Sequence, residues 1–483
     1  MVYCIIRPAF MSKVTINDHI FRGYDLRGVS NVDLSEELME HLGKAYATFL
    51  YQRRIWEVVV GRDNRITSEG YSKAFVKGLV ESGIDVVDIG LTLAQIVYFS
   101  QYPLRFKGAA MITASHNPAE YNGLKMAVGF SDTMTGPEIQ QLKEIAKDGQ
   151  FKKFNRKGSY KKIDIFPEYK KDILRRAGKI GKFKVVVDTI YGTAGMFLPK
   201  ILREAGCEVI EQHTELDGTF PLGTADPTEK AVQERLAEKV VKEKADIGFS
   251  YDTDGDRMGI VDSQGRLIWN DTLVSIFAMD VLDYMPGAKI VFNVLCSKQT
   301  RDVIESHGGE PVIWITGHSF IKAKLKEERA PFAGELSGHM FFADNFYGHD
   351  DEAYATLRLL AYLTRVGKTL DRVVDELPKY HSSPEIKVGC PDNIKFKLVS
   401  DGIAKDIKGI YPTASYVDID GLRFDTDHEM GVIRASQNGP YLTIKYEAKD
   451  AEEYVKLKKV LSDILHKYPE IDFKDGVNID ALE

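Results

Sequence analysis

Three carboxylates recur at every second position in Asp252-Thr253-Asp254-Gly255-Asp256-Arg257. Gly255 lets the backbone bend so that the three can converge, and converging carboxylates repel one another unless a hard divalent cation lies between them. The loop follows the apolar run Ile247–Tyr251 and returns at once to Met258–Val261, which places it between two strands and not on a solvated turn. An EF-hand is excluded by position: it needs glycine at loop residue six and glutamate at twelve, where Arg257 and Ser263 stand. Divalent-metal binding by Asp252, Asp254 and Asp256 is the expectation.

A second set could transfer a group. Thr113-Ala-Ser115-His116-Asn-Pro118 follows the buried-strand pattern Ala109–Ile112, and Pro118 stops any regular continuation. Ser115 is thus expected in a loop at the carboxyl end of a strand, where open α/β sheets place their ligands, and a serine there can carry a covalent intermediate. Lys125 lies near enough in sequence to share the site, although alone it reads equally as a surface lysine. Tyr24-Asp25-Leu26-Arg27-Gly28 could present a guanidinium to an anion, and by itself reads as an ordinary turn with a surface ion pair. Gly334-Glu335-Leu336-Ser337-Gly338-His339 offers a carboxylate, a hydroxyl and an imidazole, groups suited to sugar hydroxyls. Arg434-Ala-Ser436-Gln437-Asn438-Gly-Pro440 would suit a phosphate.

The elements that must hold these loops follow from periodicity. Val58–Val60, a helical pattern through Val76, Leu79 and Val80, and Val86-Val87 give strand–helix–strand, which predicts a parallel sheet. A second such unit begins at Lys184–Asp188 and a third near Asn270, while short strands and helices after Pro384 mark a region of different character. The closing helix, about 451–466, is expected to carry a core-facing stripe through Val455, Leu457, Leu461, Ile464 and Leu465.

At about 150 residues per domain, 483 residues imply three or four domains. A net charge of −7 argues against nucleic-acid binding, and no apolar run reaches the roughly 18 residues of a membrane span. The basic run Lys152–Lys162 reads as a solvated connector. Cys4, Cys207, Cys296 and Cys390 are widely spaced, as expected of reduced thiols in a cytoplasmic protein. Met11 competes with Met1 as the start.

In this order the loops resemble those of the α-D-phosphohexomutases, most closely the phosphomannomutase/phosphoglucomutase branch. The matches are Tyr-Asp-x-Arg-Gly at 24–28, Thr-Ala-Ser-His-Asn-Pro at 113–118, Asp-x-Asp-Gly-Asp-Arg at 252–257, Thr-Gly-His-Ser-x-Ile-Lys at 316–322, Gly-Glu-x-Ser-Gly-His at 334–339 and Arg-Ala-Ser-x-x-x-Pro at 434–440. The resemblance implies four domains around a central cleft: three related mixed α/β domains (11–165, 166–269 and 270–383) and a smaller C-terminal α+β domain (384–483). It implies that Ser115 is the phosphoserine, assisted by His116 and Lys125, with one Mg²⁺ held by Ser115, Asp252, Asp254 and Asp256. Arg27 and Arg257 would steady the transferring phosphoryl group. Tyr24, His318, Glu335 and Ser337 would contact the sugar, His339 would do so as a candidate base, and Arg434, Ser436, Gln437 and Asn438 would bind the other phosphate. The implied reaction interconverts hexose 1- and 6-phosphates of mannose and/or glucose through a hexose 1,6-bisphosphate, in a monomer or dimer whose partners are small sugar phosphates.

The chain departs from the family pattern at Leu295, where a lysine is usual, at Gln437-Asn438, where Asn-Thr is usual, and at 91–95, where Thr-Pro is missing. The rival readings are a phosphoglucosamine mutase, disfavoured by Leu336 where glutamine is typical, and a catalytically weakened sugar-phosphate-binding relative. A haloacid-dehalogenase-type phosphatase would require threonine in place of Asp256.

Overall fold

The computed structural model describes residues 14–152, 154–437 and 439–482. Met1, Cys4, Met11 and Asn438 lie outside them. Among the described residues no helix is long and apolar enough to cross a membrane.

Four sheets follow one another along the chain. In the first, Val58 and Val60 face one core and Val59 another, because successive side chains of a strand point to opposite faces. Helices Glu36–Gln52 and Ser68–Glu81 cover one face and Ala94–Leu104 the other. A strand covered on both sides reads as a continuous apolar run, which is what Val58–Val60 is. Val185-Val186-Val187 repeats the arrangement in the second sheet, with Val186 packed under helix Lys230–Glu243. Ile290-Val291-Phe292 does so in the third, with Val291 under helix His318–Glu328.

The sheets are mixed and not purely parallel. Each of the first three has a parallel centre, then a strand that turns back antiparallel: Gly108–Ile112 with Tyr121–Gly129, Ile247–Tyr251 with Met258–Asp262, and Phe332–Gly334 with Met340–Phe342. A loop too short for a crossover helix can only return the chain antiparallel. Those three loops are the ones that carry Ser115, the aspartates, and Glu335 with His339, so all three occupy the same position in their units.

The basic stretch is not only a connector. Tyr160–Lys162 adds an exposed parallel edge strand to Asp85–Leu91, and Arg156 forks onto Asp85 at 2.9 and 2.7 Å. Edge lysines discourage pairing with another chain.

The second and third units share one apolar core, whereas the first and last have their own. The last sheet is antiparallel, with the Tyr441–Ala448 strand between Glu429–Ala435 and Ile386–Gly389. It is tied to the third unit mainly by buried ions: Arg423 donates to the carbonyls of Val294 (2.9 Å) and Cys296 (2.6 Å), and Lys445 Nζ lies 2.6 Å from Asp271 Oδ2.

Candidate active site

The four units enclose a cleft of about 1080 Å³ lined by residues of every sheet, among them Arg27, His116, Arg257, Glu335 and Arg434. Ser115 lies beneath its floor and is 1% exposed. Its φ of 51° is left-handed, a conformation that costs a residue with a Cβ about 1–2 kcal/mol. Neighbours hold it there. Thr113 Oγ1 accepts from Ser115 N at 2.9 Å, and Arg65 Nη2 donates to the carbonyls of Ser115 (2.7 Å) and Asn117 (2.6 Å). Arg65 Nη1 takes the carbonyls of Pro118 and Tyr121 as well, and the ion pair with Asp63, 3.2 Å away, fixes the guanidinium. Arg27 closes the loop from the other side through Asn117 Oδ1 and the Ala114 carbonyl, with its own charge set by Asp25 at 2.9 Å.

Ser115 Oγ donates to Asp252 Oδ2 at 2.7 Å and lies 3.3 Å from His116 Nδ1. Asp252, Asp254 and Asp256 are fully buried, with an oxygen of each within 4.8 Å of the others. Burial and the two neighbouring carboxylates push Asp252 well above the usual carboxylate range. Lys125 Nζ donates to Asp254 Oδ2 at 2.8 Å and to Asp256 Oδ2. Burial opposes both charges, yet Lys125 holds Asp254 below its ordinary value, and Asp254 and Asp256 hold Lys125 well above its own. Asp254 Oδ1 and Asp256 Oδ1 remain buried without hydrogen-bond partners. Orphaned anionic oxygens in a converging set are the donors a hard divalent cation takes, so these residues fit Mg²⁺. The first unit braces this loop: Ala94 N donates to the Asp254 carbonyl at 3.0 Å and Gln95 Nε2 to that of Gly255 at 2.8 Å. Gly255 has φ of 72°, where a side chain would be strained and would meet Leu93 and Gln95.

In the third unit Glu335 Oε1 accepts from Gly317 N at 2.8 Å, while Oε2 has no partner. Burial raises its carboxyl. His339 joins two loops: Arg257 Nε donates to its Nε2 at 3.1 Å, and its Nδ1 faces Asp350 Oδ2 at 3.1 Å. His318 is buried 3.8 Å from the same Asp350 oxygen and edge-on to Tyr24, ring centres 4.7 Å apart. Burial and the Lys322 charge hold His318 well below its ordinary value, while burial with Arg257 and Arg27 does the same to His116. Ser337 lines the cleft beside them.

Arg434 and Ser436 line the opposite wall. Arg434 Nε donates to Asp420 Oδ2 at 2.9 Å, and the same oxygen accepts from Thr316 N at 3.0 Å. Gln437 lies against Gly23 of the first unit, where an added Cβ would come within 3.1 Å of its Oε1. Leu295 is 3% exposed and packs into the shared core at the cleft edge, between the two carbonyls that Arg423 holds.

Sequence reasoning missed Arg65, Asp350 and Asp420, and gave Lys322 no role although it closes the Thr316–Lys322 motif. The acidic run Asp350-Asp351-Glu352 was a readable signal for one of them. Arg65 and Asp420 act on residues distant in sequence, and nothing local marks them.

Three family models match in succession: Phosphoglucomutase/phosphomannomutase alpha/beta/alpha domain I over residues 18–153, domain II over 167–265 and domain III over 269–380. The chain is 36% identical over 464 residues to the phosphomannomutase/phosphoglucomutase of Pseudomonas putida, covering 96% of this chain and 99% of that one. It is 32% identical to a phosphoglucomutase of Neisseria gonorrhoeae, covering 95% and 99%. The crystal structure of a phosphoglucomutase/phosphomannomutase family protein from Burkholderia thailandensis superposes with a TM-score of 0.85 at 33% identity, covering 94% and 97%. With the serine loop, the acidic loop and the Glu335–His339 loop converging in one cleft, this chain belongs to the α-D-phosphohexomutase family of phosphomannomutase/phosphoglucomutase enzymes.

Proposed function

We propose that this enzyme interconverts hexose 1-phosphates and hexose 6-phosphates, of mannose and/or glucose, with Ser115 as the phosphate carrier and a hexose 1,6-bisphosphate as intermediate and activator. One observation carries the reading: a buried, strained serine lies 2.7 Å from the first of three converging carboxylates. Mg²⁺, held by Asp252, Asp254, Asp256 and an oxygen on Ser115, would neutralise charge on the transferring phosphoryl group.

The chain's own residues then have these tasks. A sugar hydroxyl attacks the phosphorus on Ser115, the bond to Ser115 Oγ breaks, and the electron pair returns to Oγ. The hydroxyl proton passes to a base, for which His339, set by Asp350, and His116, beside Oγ, are the candidates; Lys125, whose ammonium Asp254 and Asp256 hold in its charged form, is the candidate acid that returns a proton to Oγ. Arg27 and Arg257 hold the phosphoryl oxygens in place. Glu335, whose Oε2 is free, and Ser337 grip sugar hydroxyls, with Tyr24 and His318 behind them. Arg434 and Ser436, with the neighbouring Gln437 and Asn438, hold the phosphate that is not reacting. The bisphosphate then turns around and gives its other phosphate to Ser115. Contacts to hydroxyls away from C2 do not separate glucose from mannose. The cytoplasm, where Cys207, Cys296 and Cys390 remain buried thiols, is the setting this reading assumes.

A coupled assay with Mg²⁺ and catalytic hexose 1,6-bisphosphate, run on mannose, glucose and glucosamine 1-phosphates, tests it. Turnover of the first two, reduced at least about a thousandfold in Ser115→Ala, is the expected result. Turnover of glucosamine 1-phosphate alone would replace the reading with the phosphoglucosamine branch. No turnover from folded, phosphorylated protein would leave a sugar-phosphate-binding protein.

A further inference from the structure

The last sheet shows a charged row to the cleft. Arg434 on Glu429–Ala435 is in register with Thr443 on Tyr441–Ala448, and Thr443 with Lys387 on Ile386–Gly389. Directly opposed residues on neighbouring strands share a face, and neighbouring strands lie about 4.8 Å apart, so the arginine and lysine Cα atoms are about 10 Å apart across the threonine. The flanking residues of these strands point the other way, into the core of the last unit, while all three members of the row line the cleft.

The side chains of two of the three make no hydrogen bond to a described protein group. Thr443 is 0% exposed, and its Oγ1 has no hydrogen-bond partner. A buried hydroxyl without a partner is costly to keep unless a ligand completes it. Lys387 is half-buried, and its nearest carboxylate oxygen, on Glu385, is 3.8 Å away, beyond hydrogen bonding. Its ammonium also stands 5.6 Å from the Tyr441 ring centre, another cleft residue. Lys445, the next lysine on the same face, shows the contrast. It is buried and committed, 2.6 Å from Asp271 Oδ2 and 3.1 Å from Glu447 Oε1. An arginine and a lysine held only by a 3.8 Å ion pair, flanking a donor hydroxyl, match a dianionic phosphate, whose oxygens take charged donors at about 2.7–2.9 Å.

We propose that Lys387 and Thr443 extend the phosphate site beyond the Arg434–Ser436 loop and bind the phosphate group of the sugar that is not in transfer. The inference rests on the mutase reading above. It gives the enzyme a phosphate site built on the floor of a sheet as well as on a loop, in a chain whose loop carries Gln437-Asn438.

The test uses the full-length enzyme phosphorylated on Ser115, so that added inorganic phosphate reports on the second phosphate position. Lys387→Met should raise KM for glucose 1-phosphate about tenfold, with kcat within about twofold. The inhibition constant of inorganic phosphate should rise in parallel, and Lys387→Arg should restore both to within about threefold. Thr443→Val should raise KM about threefold, and it keeps the shape of the side chain should the lysine variant melt early. A KM and a phosphate inhibition constant unchanged in folded Lys387→Met would overturn the proposal, as would a loss confined to kcat. Absence of turnover in the wild type would instead strike the mutase reading, and direct titration of inorganic phosphate calorimetrically into wild type and Lys387→Met would then still decide the fate of this site.

Discussion

At the Ser115 end of the cleft the serine, the three aspartates and Lys125 are buried and braced from several directions; at the Arg434 end the cations come from one sheet and part of the site is open to solvent. Ser115, Asp252, Asp254, Asp256 and Lys125 are at most 4% exposed, and Arg65 alone holds four carbonyls of the serine loop. The Lys387 side chain is 36% exposed, by comparison. The chemistry explains the difference. In-line phosphoryl transfer needs its reacting atoms fixed before the event. The other end must hold first one phosphate of the bisphosphate and then the other, and must release the product. Damage at the first end should therefore lower kcat, and damage at the second should raise KM.

The largest effect is expected at the metal loop. Removing divalent cations with a chelator should abolish turnover, and added Mg²⁺ should restore it. Asp254→Asn should lower kcat about a thousandfold even with Mg²⁺ present, because it removes both a ligand and the partner of Lys125. The coupled assay after dialysis reads both. Full activity in the chelated enzyme would mean that Asp254 and Asp256 serve Lys125 alone.

Arg65→Met is the sharper probe of bracing, since Arg65 lies outside the cleft lining. It strands four loop carbonyls and the buried Asp63, a loss of about 4 kcal/mol, and releases the left-handed Ser115. We expect a lowered Tm and kcat down about a hundredfold, with KM nearly unchanged. A rise in KM with kcat intact would erase the distinction between the two ends.

These two predictions also mark where the sequence was legible. Asp252–Arg257 and Thr113–Pro118 are contiguous, and each announces its chemistry by residue type and by its place at the end of an apolar run. The helices and strands that carry them follow from the same periodicity. What escaped depends on distances along the chain. Arg65 reaches a loop fifty residues away, and Asp350 reaches His339 only because the chain after Met340–Phe342 folds back and Asp350 bridges Phe341. The row Lys387, Thr443, Arg434 exists only through the register of three strands, which side-chain alternation alone does not give. That three successive units each end a strand in a functional-looking loop was legible, but the antiparallel return that follows each loop was not: the loops differ in length and chemistry, so that repeat lies in backbone topology and leaves no repeat in sequence.

At the second end, Arg434→Ala should raise KM for glucose 1-phosphate about thirtyfold and change kcat by less than about fivefold, because a bidentate-capable cation to phosphate is lost while the reacting atoms stay in place. Steady-state kinetics across substrate concentration separate the two parameters. A kcat loss matching that of Arg65→Met would show that the far phosphate also positions the reacting oxygen.

The smallest effect belongs to Asp420, a positioning residue that touches no ligand. One carboxylate oxygen accepts from Arg434 Nε and from Thr316 N, so it aligns that arginine with the loop that carries Gly317, itself the donor to Glu335. Asp420→Asn keeps the shape and an acceptor but removes the charge that orients the guanidinium. Charge-assisted hydrogen bonds are roughly twice as strong as neutral ones, so the arginine should be loosened and not released. The expected change is a KM raised about fourfold, with kcat unaltered and a KM for mannose 1-phosphate that moves by the same factor. Combined with Arg434→Ala, the substitution should add nothing further, since its effect runs through that side chain. A further loss in the double variant would show that Asp420 serves the Thr316–Gly317 loop in its own right, and would tie the two ends of the cleft more closely than their separate construction suggests.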